Sequence, residues 1–214
     1  MSRQFFKRYT AYRGEERELY FTPINTIEKI VKSLVTLRPE LREKTWVDPC
    51  AGDGRWEQVI NGFGIKCYSF DIKPLTSSVV KRDFLKDNFS EFKNIFFIGN
   101  PPFSLLKDFV GKALYLTDSC YFLGGSQIIT NSLSSKVSLL HRFEGYDGNQ
   151  KDLRSKLVFN DTLNKKLEIW CCGAIFNKRF HKNFKITEDK ELNNFRVSIQ
   201  NYCVPDERVV VIYK

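Results

Sequence analysis

Short apolar runs that end at a polar residue recur through the first 130 residues, and helical patterns separate them. The run over 66–71 ends in Asp71, and the run over 94–99 is broken at once by Asn100. Strands that alternate with helices form mostly parallel sheets that carry helices on both faces. We therefore predict an α/β fold with a doubly wound sheet.

The remaining elements follow from local signals. Thr22 is predicted to be the N-cap of a helix with Pro23 at its first position, since these residue types favour those positions. Apolar residues then recur at helical spacing as far as Leu37. We also predict helices over 55–61 and 104–116, strands over 45–48, 79–82, within 120–130 and over 209–213, an antiparallel hairpin over 157–160 and 167–176, and a loop over 177–190.

The chain has 214 residues, of which 42 % are hydrophobic, so it can bury one sizeable core. The formal net charge of +9 suits a polyanionic partner, although lysine-rich proteins of other kinds share such a charge. The 6 cysteines contain no CxxC pair, and only His141 and His181 are available to join them as metal ligands. We predict no metal site, and we place both histidines at the surface.

Localisation follows from the same composition. Cysteines without a framework indicate reduced thiols in an intracellular compartment. No stretch approaches the roughly 20 apolar residues that a membrane span needs, and the basic start of the chain lacks a signal-peptide core. We expect a soluble protein that is cytoplasmic, or nuclear in a eukaryote, and not secreted.

Several strand ends carry residues suited to ligand binding, and in a parallel sheet these ends share one edge. Residues 48–54 (DPCAGDG) form a small-residue turn that lets backbone N–H groups approach a ligand, although an ordinary strand-to-helix turn has the same composition. Asp71 has two oxygens to accept from ribose hydroxyls, or it simply forms a turn. Asp83 can accept from an adenine amino group with Phe84 on the ring, but a solvated turn acid explains Asp83 better when it is read alone.

The most specific motif is Asn100-Pro101-Pro102-Phe103. An aromatic amine is a poor nucleophile because its lone pair is delocalised into the ring. The Asn100 side-chain oxygen and the Pro101 carbonyl can accept its two hydrogens and pull the nitrogen toward tetrahedral geometry. The prolines fix φ and hold that carbonyl in place, and Phe103 can stack on the base. The same residues also end strands in proteins without this chemistry.

Five short motifs in a characteristic order resemble those of the S-adenosylmethionine-dependent amino-methyltransferases that act on adenine N6 or cytosine N4, in their gamma arrangement. The motifs are YFTP (20–23), DPCAGDG (48–54), SFDI (69–72), DF (83–84) and GNPPF (99–103). The resemblance covers about residues 18–130 and continues weakly over 167–178. It implies a Rossmann-like methyltransferase sheet, mostly parallel, with a late antiparallel hairpin strand.

The resemblance also implies the site residues. The implied catalytic residues are Asn100, Pro101, Pro102 and Phe103. Phe103 stands where many DNA enzymes have Tyr, and Phe also occurs among RNA-modifying relatives, so DNA and RNA stay open. Tyr20, Thr22 and the backbone of 50–52 are implied to touch the methionine portion of the cofactor, Asp71 the ribose and Asp83 the adenine. The full implied cofactor set is Tyr20, Thr22, Pro23, Asp48, Pro49, Cys50, Ala51, Gly52, Asp71, Ile72, Asp83, Phe84 and Asn100.

We predict a single methyltransferase domain over 1–214, with a basic arm (1–17), a cofactor-binding and catalytic core (18–140), and a closing hairpin with a basic loop and tail (141–214). In the arm and the loop, basic residues interleave with aromatic ones, which suits phosphates and unstacked bases; a solvated basic face has the same pattern. The candidate nucleic-acid contacts are Arg3, Lys7, Arg8 and Arg13 in the arm, and Lys178, Arg179, Lys182 and Lys185 in the loop.

The resulting hypothesis is methyl transfer from S-adenosylmethionine to the exocyclic amine of a nucleic-acid base, with adenine N6 in DNA first. The alternatives are an RNA adenine-N6 methyltransferase, a protein glutamine methyltransferase and a non-catalytic nucleic-acid-binding subunit. Intact Asn100, Asp71 and Gly52 argue against the last of these. The tail after Lys178 is too short for a separate recognition domain, so target choice is loose, depends on substrate structure, or needs a partner subunit.

Overall fold

One sheet organises the computed structural model, which describes residues 19–143, 156–160, 166–178, 190–192, 195–199 and 209–213. The helices are α1 (Ile24–Leu37), α2 (Arg55–Gly62) and α3 (Leu106–Leu116), with single helical turns at Pro39–Glu43, Phe103–Leu105, Ile128–Ser132 and Ser134–Lys136. The strands are β1 (Thr45–Asp48), β2 (Cys67–Asp71), β3 (Val80–Lys81), β4 (Ile95–Gly99), β5 (Ser119–Gly125), β6 (Val137–Phe143), β7 (Lys156–Asn160), β8 (Lys166–Asn177), β9 (Lys190–Leu192), β10 (Phe195–Ile199) and β11 (Val209–Tyr213).

The strand order is β3-β2-β1-β4-β5-β8-β6-β11-β10-β9, and β7 pairs with β8 beside this path. The first five strands in that order are parallel. β8 inserts antiparallel between β5 and β6, and it forms the predicted hairpin with β7. The predicted fold class, a mostly parallel α/β sheet with a late antiparallel hairpin strand, is therefore confirmed.

The sheet buries a helical layer on each face because successive side chains of a strand point to opposite sides. On β4, Phe96 belongs to the apolar cluster that contains the inward residues of α1 and α2. Its neighbour Phe97 belongs to the second cluster, which contains the inward residues of α3. All five residues of β4 are buried, as a central parallel strand requires. This double covering places α2 and α3 on opposite faces.

Local details differ from the sequence-based predictions at several elements. α1 begins at Ile24 with Pro23 at the N-cap position and no side-chain cap, so the prediction of Thr22 as N-cap was wrong. α3 begins at Leu106, after a helical turn rather than at residue 104. β6 and β10 were not predicted. β6 spans residue 140, where the sequence analysis ends the core region. The predicted loop over 177–190 includes the first residue of β9, and its residues 179–189 lie outside the described residues.

His141 is fully buried between α1 and the sheet, so its predicted surface position was wrong. Its Nε2 lies 3.1 Å from Ser33 Oγ, and its Nδ1 lies 2.9 Å from the Tyr121 hydroxyl. A neutral imidazole has one donor and one acceptor, which two hydroxyl groups can satisfy. Burial lowers the pKa of His141 to about 3, so the ring stays neutral in the folded protein at physiological pH. His181 lies outside the described residues.

No helix among the described residues is long and apolar enough to cross a lipid bilayer.

We expect His141 to destabilise the fold in acid. Unfolded His141 takes up a proton below about pH 6.5, whereas in the folded protein its pKa is about 3. The unfolded state therefore binds more protons in this window, and stability is lost as pH falls from about 6.5 toward 3. At about 1.4 kcal/mol per pH unit, this group lowers the free energy of unfolding by about 2 to 3 kcal/mol between pH 7 and pH 4.5.

Urea denaturation of the wild type and His141→Gln at both pH values measures this effect. The variant should be less stable at pH 7, because Ser33 and Tyr121 lose a shared partner, but its stability should fall less on acidification. Parallel losses in the two proteins would contradict the assignment.

Candidate active site

A cavity of about 330 Å³ opens at the carboxyl ends of β1 to β4. β1 lies between β2 and β4, and the helices that follow β1 and β4 pack on opposite faces of the sheet. A crevice at such a reversal of strand order is the usual ligand site of an open α/β sheet. The cavity is lined by residues 19–22, 49–53, 55–56, 71–73 and 83–85, with Asn100, Pro102, Ser104, Leu105 and Phe109.

The turn after β1 is held by the carboxylate of Asp71, at the end of β2. Asp71 Oδ2 accepts from the Gly52 amide at 2.8 Å, and Oδ1 accepts from the Lys73 amide at 2.8 Å. Gly52 has φ +57, a left-handed conformation that costs glycine little. Asp71 also lines the cavity. The residue predicted to bind a ribose thus also shapes the loop beside it.

Asp48 lies beneath this turn and does not border the cavity. Its Oδ1 accepts from the Cys50 amide at 3.1 Å, whereas its buried Oδ2 has no hydrogen-bond partner among the described residues. Burial, with a smaller contribution from the negative charge of Asp71, raises the pKa of Asp48 to about 8. Asp48 is therefore mostly a neutral acid at pH 7.

Gly99 lets the end of β4 pass Asp48. A Cβ at this position would lie 2.5 Å from Asp48 Oδ1, and the φ of +155 also disfavours a side chain. The backbone therefore reaches Asn100 only if residue 99 is glycine. The GNPPF motif thus contains a packing requirement as well as its polar residues.

The Asn100 side chain is oriented by the backbone of residue 20. Asn100 Nδ2 donates to the Tyr20 carbonyl at 2.9 Å. A carbonyl only accepts, so this bond determines which end of the amide carries the oxygen. Asn100 Oδ1 is buried without a partner among the described residues, and so is the Thr22 hydroxyl, which also lines the cavity. The cavity edge therefore presents a fixed amide oxygen and an unsatisfied hydroxyl.

Twelve predicted cofactor or catalytic residues line the cavity. They are Tyr20, Thr22, Pro49, Cys50, Ala51, Gly52, Asp71, Ile72, Asp83, Phe84, Asn100 and Pro102. Pro23, Asp48, Pro101 and Phe103 do not border it.

Two of the three aromatic residues of the predicted site, Phe84 and Phe103, are mostly covered. Phe84 is 3 % exposed and its ring packs 5.1 Å from Phe97. Phe103 is 2 % exposed and lies between the rings of Tyr20, at 6.0 Å, and Phe159, at 6.2 Å. A stacking role for Phe103 requires its ring to become exposed, and that role stays a prediction.

Sequence reasoning missed several lining residues. Leu85 and Leu105 are 37 % and 38 % exposed, and with the 52 % exposed Ile72 they form an apolar rim. The sequence pattern that could have identified them is their position next to a motif: Leu85 directly follows DF, and Leu105 lies two residues after the end of GNPPF. Asp53 and Arg55 also line the cavity, and Arg55 directly follows the DPCAGDG turn.

The predicted nucleic-acid contacts are mostly outside the described residues. Lys178 is described: its amide donates to the Asp118 carbonyl, just before β5. It therefore lies at the amino edge of the sheet, opposite the cavity. Arg3, Lys7, Arg8, Arg13, Arg179, Lys182 and Lys185 lie outside the described residues. In the described part of the chain, no group of three or more His, Cys, Asp or Glu side chains is placed to hold a metal ion.

The strand order and the crevice at the ends of β1 and β4 define the α/β methyltransferase fold. A solved structure from Pyrococcus horikoshii, described as a candidate RNA methyltransferase, shares this fold with a TM-score of 0.57 at 17 % identity, over 76 % of this chain and 88 % of that one. A Thermoplasma acidophilum structure matches with a TM-score of 0.48 at 16 % identity, over 72 % of this chain and 86 % of that one. No known protein family matches the sequence, and no curated protein does.

We expect Asp48→Asn to change how stability depends on pH. Folded Asp48 holds its proton to about pH 8, whereas the unfolded side chain releases it near pH 3.8. The folded state therefore binds more protons in this window, so stability falls as pH rises from about 4 to 8. Asn has nearly the same shape and cannot ionise, so the variant should gain about 3 kcal/mol relative to wild type between pH 5 and pH 8.

Urea denaturation at pH 5 and pH 8 measures this gain, with Asp118→Asn at an exposed position as the matched control. The assignment of a neutral buried Asp48 fails if Asp48→Asn and Asp118→Asn respond to pH alike.

Proposed function

We propose that the protein transfers a methyl group from S-adenosylmethionine to the exocyclic amine of a nucleic-acid base, with adenine N6 in DNA as the first candidate. One observation carries the proposal. The Asn100 amide is oriented by the Tyr20 carbonyl so that a buried oxygen, without a partner among the described residues, lies at the edge of the cavity. A fixed acceptor of this kind suits a substrate that must donate a hydrogen bond, as an NH₂ group does.

The reaction needs orientation and electrostatics rather than a covalent nucleophile. S-adenosylmethionine, when bound, supplies an electrophilic methyl group on a positively charged sulfur. Asn100 Oδ1 accepts one N–H group of the base and so leaves the nitrogen lone pair free for methylation. The Pro101 carbonyl is the second acceptor that the sequence motif predicts, although Pro101 does not border the cavity in this structure. The chain's own contribution would be to hold the amine in place, and the methylated amine would release one proton to solvent. Prearranged acceptors reduce the reorganisation needed in the transition state.

The cavity residues fit this cofactor. Asp71 lines the cavity, and a carboxylate with two acceptor oxygens suits a ribose diol. Ile72, Leu85 and Leu105 form an apolar rim for a planar ring, and Asp83 lies beside them. The Thr22 hydroxyl, which has no partner in the part of the chain that the structure describes, and the backbone of 50–52 line the cavity and can bond a polar amino-acid portion. Our assignment of these residues to S-adenosylmethionine is part of the proposal.

RNA is the second candidate substrate. The Phe of NPPF also occurs among RNA-modifying relatives of the family that the motifs resemble. The Pyrococcus horikoshii protein that shares the fold is described as a candidate RNA methyltransferase, and at 17 % identity this bears on the fold alone. A glutamine side-chain amide is the third candidate, since it also presents an NH₂ group.

We propose the basic arm at 1–17 as the main nucleic-acid contact. The described chain begins at Leu19, which lines the cavity, so the arm is attached at the site. The basic loop instead follows Lys178, which lies at the opposite edge of the sheet. A net charge of +9 supports a polyanionic substrate.

Asn100→Ala should reduce methyl transfer by about 10²-fold or more, because one prearranged acceptor is lost from the transition state. Cofactor affinity should change only a few-fold. The assay uses tritiated S-adenosylmethionine with duplex DNA, single-stranded DNA, structured RNA and a protein extract. Mass spectrometry of the products identifies the methylated group, and Asn88→Ala at an exposed turn is the control.

N6-methyladenine that forms with the wild type and is lost in Asn100→Ala supports the proposal, and the labelled polymer identifies the substrate class. Label that appears only in protein would contradict a nucleic-acid substrate and favour a glutamine side-chain amide instead. Cofactor binding without label in any substrate would refute methyl transfer by this chain alone.

The double variant Lys7→Gln/Arg8→Gln should weaken nucleic-acid binding and flatten its salt dependence. Each lost phosphate contact lowers the slope of log K against log salt by about 0.9, so the expected change is about 1.8 for duplex DNA. Fluorescence anisotropy across a salt series measures the slope. Lys178→Gln/Arg179→Gln removes the same charge and should leave the slope unchanged. A larger effect of this second pair would assign the contact to the loop instead.

A further inference from the structure

Arg55, the first residue of α2, makes contacts that its helix does not require. Its guanidinium NH2 lies 2.7 Å from Asp53 Oδ2, and its Nε donates to Asp53 Oδ1 at 3.0 Å. Its NH1 donates to the Thr22 carbonyl at 3.0 Å, and its planar group lies 4.5 Å from the centre of the Phe21 ring. One side chain therefore links the turn after β1 to the segment at 19–22.

The same segment is bound a second time, from β4. The Tyr20 carbonyl accepts from Asn100 Nδ2, and the Thr22 carbonyl accepts from Arg55. Carbonyl groups two residues apart in an extended chain point to the same side. Arg55 and Asn100 thus bind one edge of a single short segment whose four residues all line the cavity.

We propose that Arg55 is a positioning residue of the active site, which holds 19–22 against the β1 turn so that the Tyr20 carbonyl fixes the amide of Asn100. The catalytic consequence rests on the proposed function. The structural link itself, formed by the contacts of Arg55 with Asp53, Thr22 and Phe21 and called the clamp below, does not. Without Arg55, the Thr22 carbonyl loses a charged donor and Phe21 loses its stacked partner. The segment can then move off the turn, and Tyr20 no longer fixes the amide.

The clamp requires a guanidinium group because the Asp53 carboxylate and the Thr22 carbonyl must accept from one side chain at the same time. Its planar fork bonds the Asp53 carboxylate and the Thr22 carbonyl together and stacks on Phe21, whereas an ammonium group is a single point charge on a flexible stem. Arg55→Lys should therefore keep the charge of the site but retain only part of the clamp. Arg55→Gln should remove the clamp.

Limited proteolysis with chymotrypsin tests the clamp without any assay of activity. Cleavage after Tyr20 and Phe21, quantified by mass spectrometry, should be about tenfold faster in Arg55→Gln than in the wild type, with Arg55→Lys between them. Arg38→Gln is the matched control, because Arg38 is similarly covered and pairs with Glu40 outside the cavity lining. Equal cleavage rates in the wild type and Arg55→Gln would overturn the clamp.

Kinetics test the positioning role. At saturating cofactor, Arg55→Gln should lower kcat about tenfold with little change in the KM for nucleic acid, and Arg38→Gln should leave kcat unchanged. If Arg55 acts through Asn100, its loss should cost less than about twofold in an Asn100→Ala background, because coupled residues are not additive. Equal losses in both backgrounds would overturn action through Asn100.

The two proposals fail in different ways. A wild-type protein that binds cofactor but methylates no substrate overturns the proposed function, and with it the catalytic half of the role of Arg55. An active wild type whose kcat is unchanged by Arg55→Gln overturns the role of Arg55 alone.

Discussion

The site depends most on the hydrogen bonds that the Asp71 side chain accepts from the backbone. Its two oxygens accept the Gly52 and Lys73 amides and so join the end of β2 to the turn after β1. The Ala51 amide also donates to the Phe70 carbonyl at 2.9 Å, so backbone and side chain of β2 together hold this turn of small residues. The cavity exists because neighbouring strands end together and because the buried side chain of Asp71 bonds the backbone between them.

Polar groups are satisfied differently in the core and at the site. His141 is fully buried, yet both ring nitrogens lie within hydrogen-bond distance of a hydroxyl, so the group orders the contact between α1 and the sheet. Thr22, Asp48 and Asn100 instead each keep a buried oxygen with no partner among the described residues. Buried polar atoms without partners lower stability, and proteins retain them mainly where a ligand or a reaction uses them. These three oxygens lie at or beneath one cavity, whereas Ser69 Oγ, which also has no partner among the described residues, belongs to a residue that does not line it.

Elements that depend on interactions between residues close in sequence were predicted, whereas features that depend on residues distant in sequence were missed. β1, β2, β4 and the β7–β8 hairpin were predictable because each is a local apolar run bounded by turn residues. β6 was missed because His141 and Arg142 interrupt its apolar pattern, and the burial of His141 depends on Ser33 and Tyr121, which are distant in sequence. Thr22 looked like a helix cap because its neighbours match that pattern, but its side chain makes no capping bond and borders the cavity.

By itself the sequence identified the candidate site residues: the small-residue turn, the acids at the strand ends and the NPPF segment are short and contiguous, so they can be recognised without the fold. The tertiary structure decided how those residues are used. It placed Asp48 beneath the turn, enclosed Phe103 between Tyr20 and Phe159, and brought Arg55 and Asn100 to one segment at 19–22. These arrangements join residues from different strands and helices, and burial and hydrogen bonding between such residues exist only after the chain has folded.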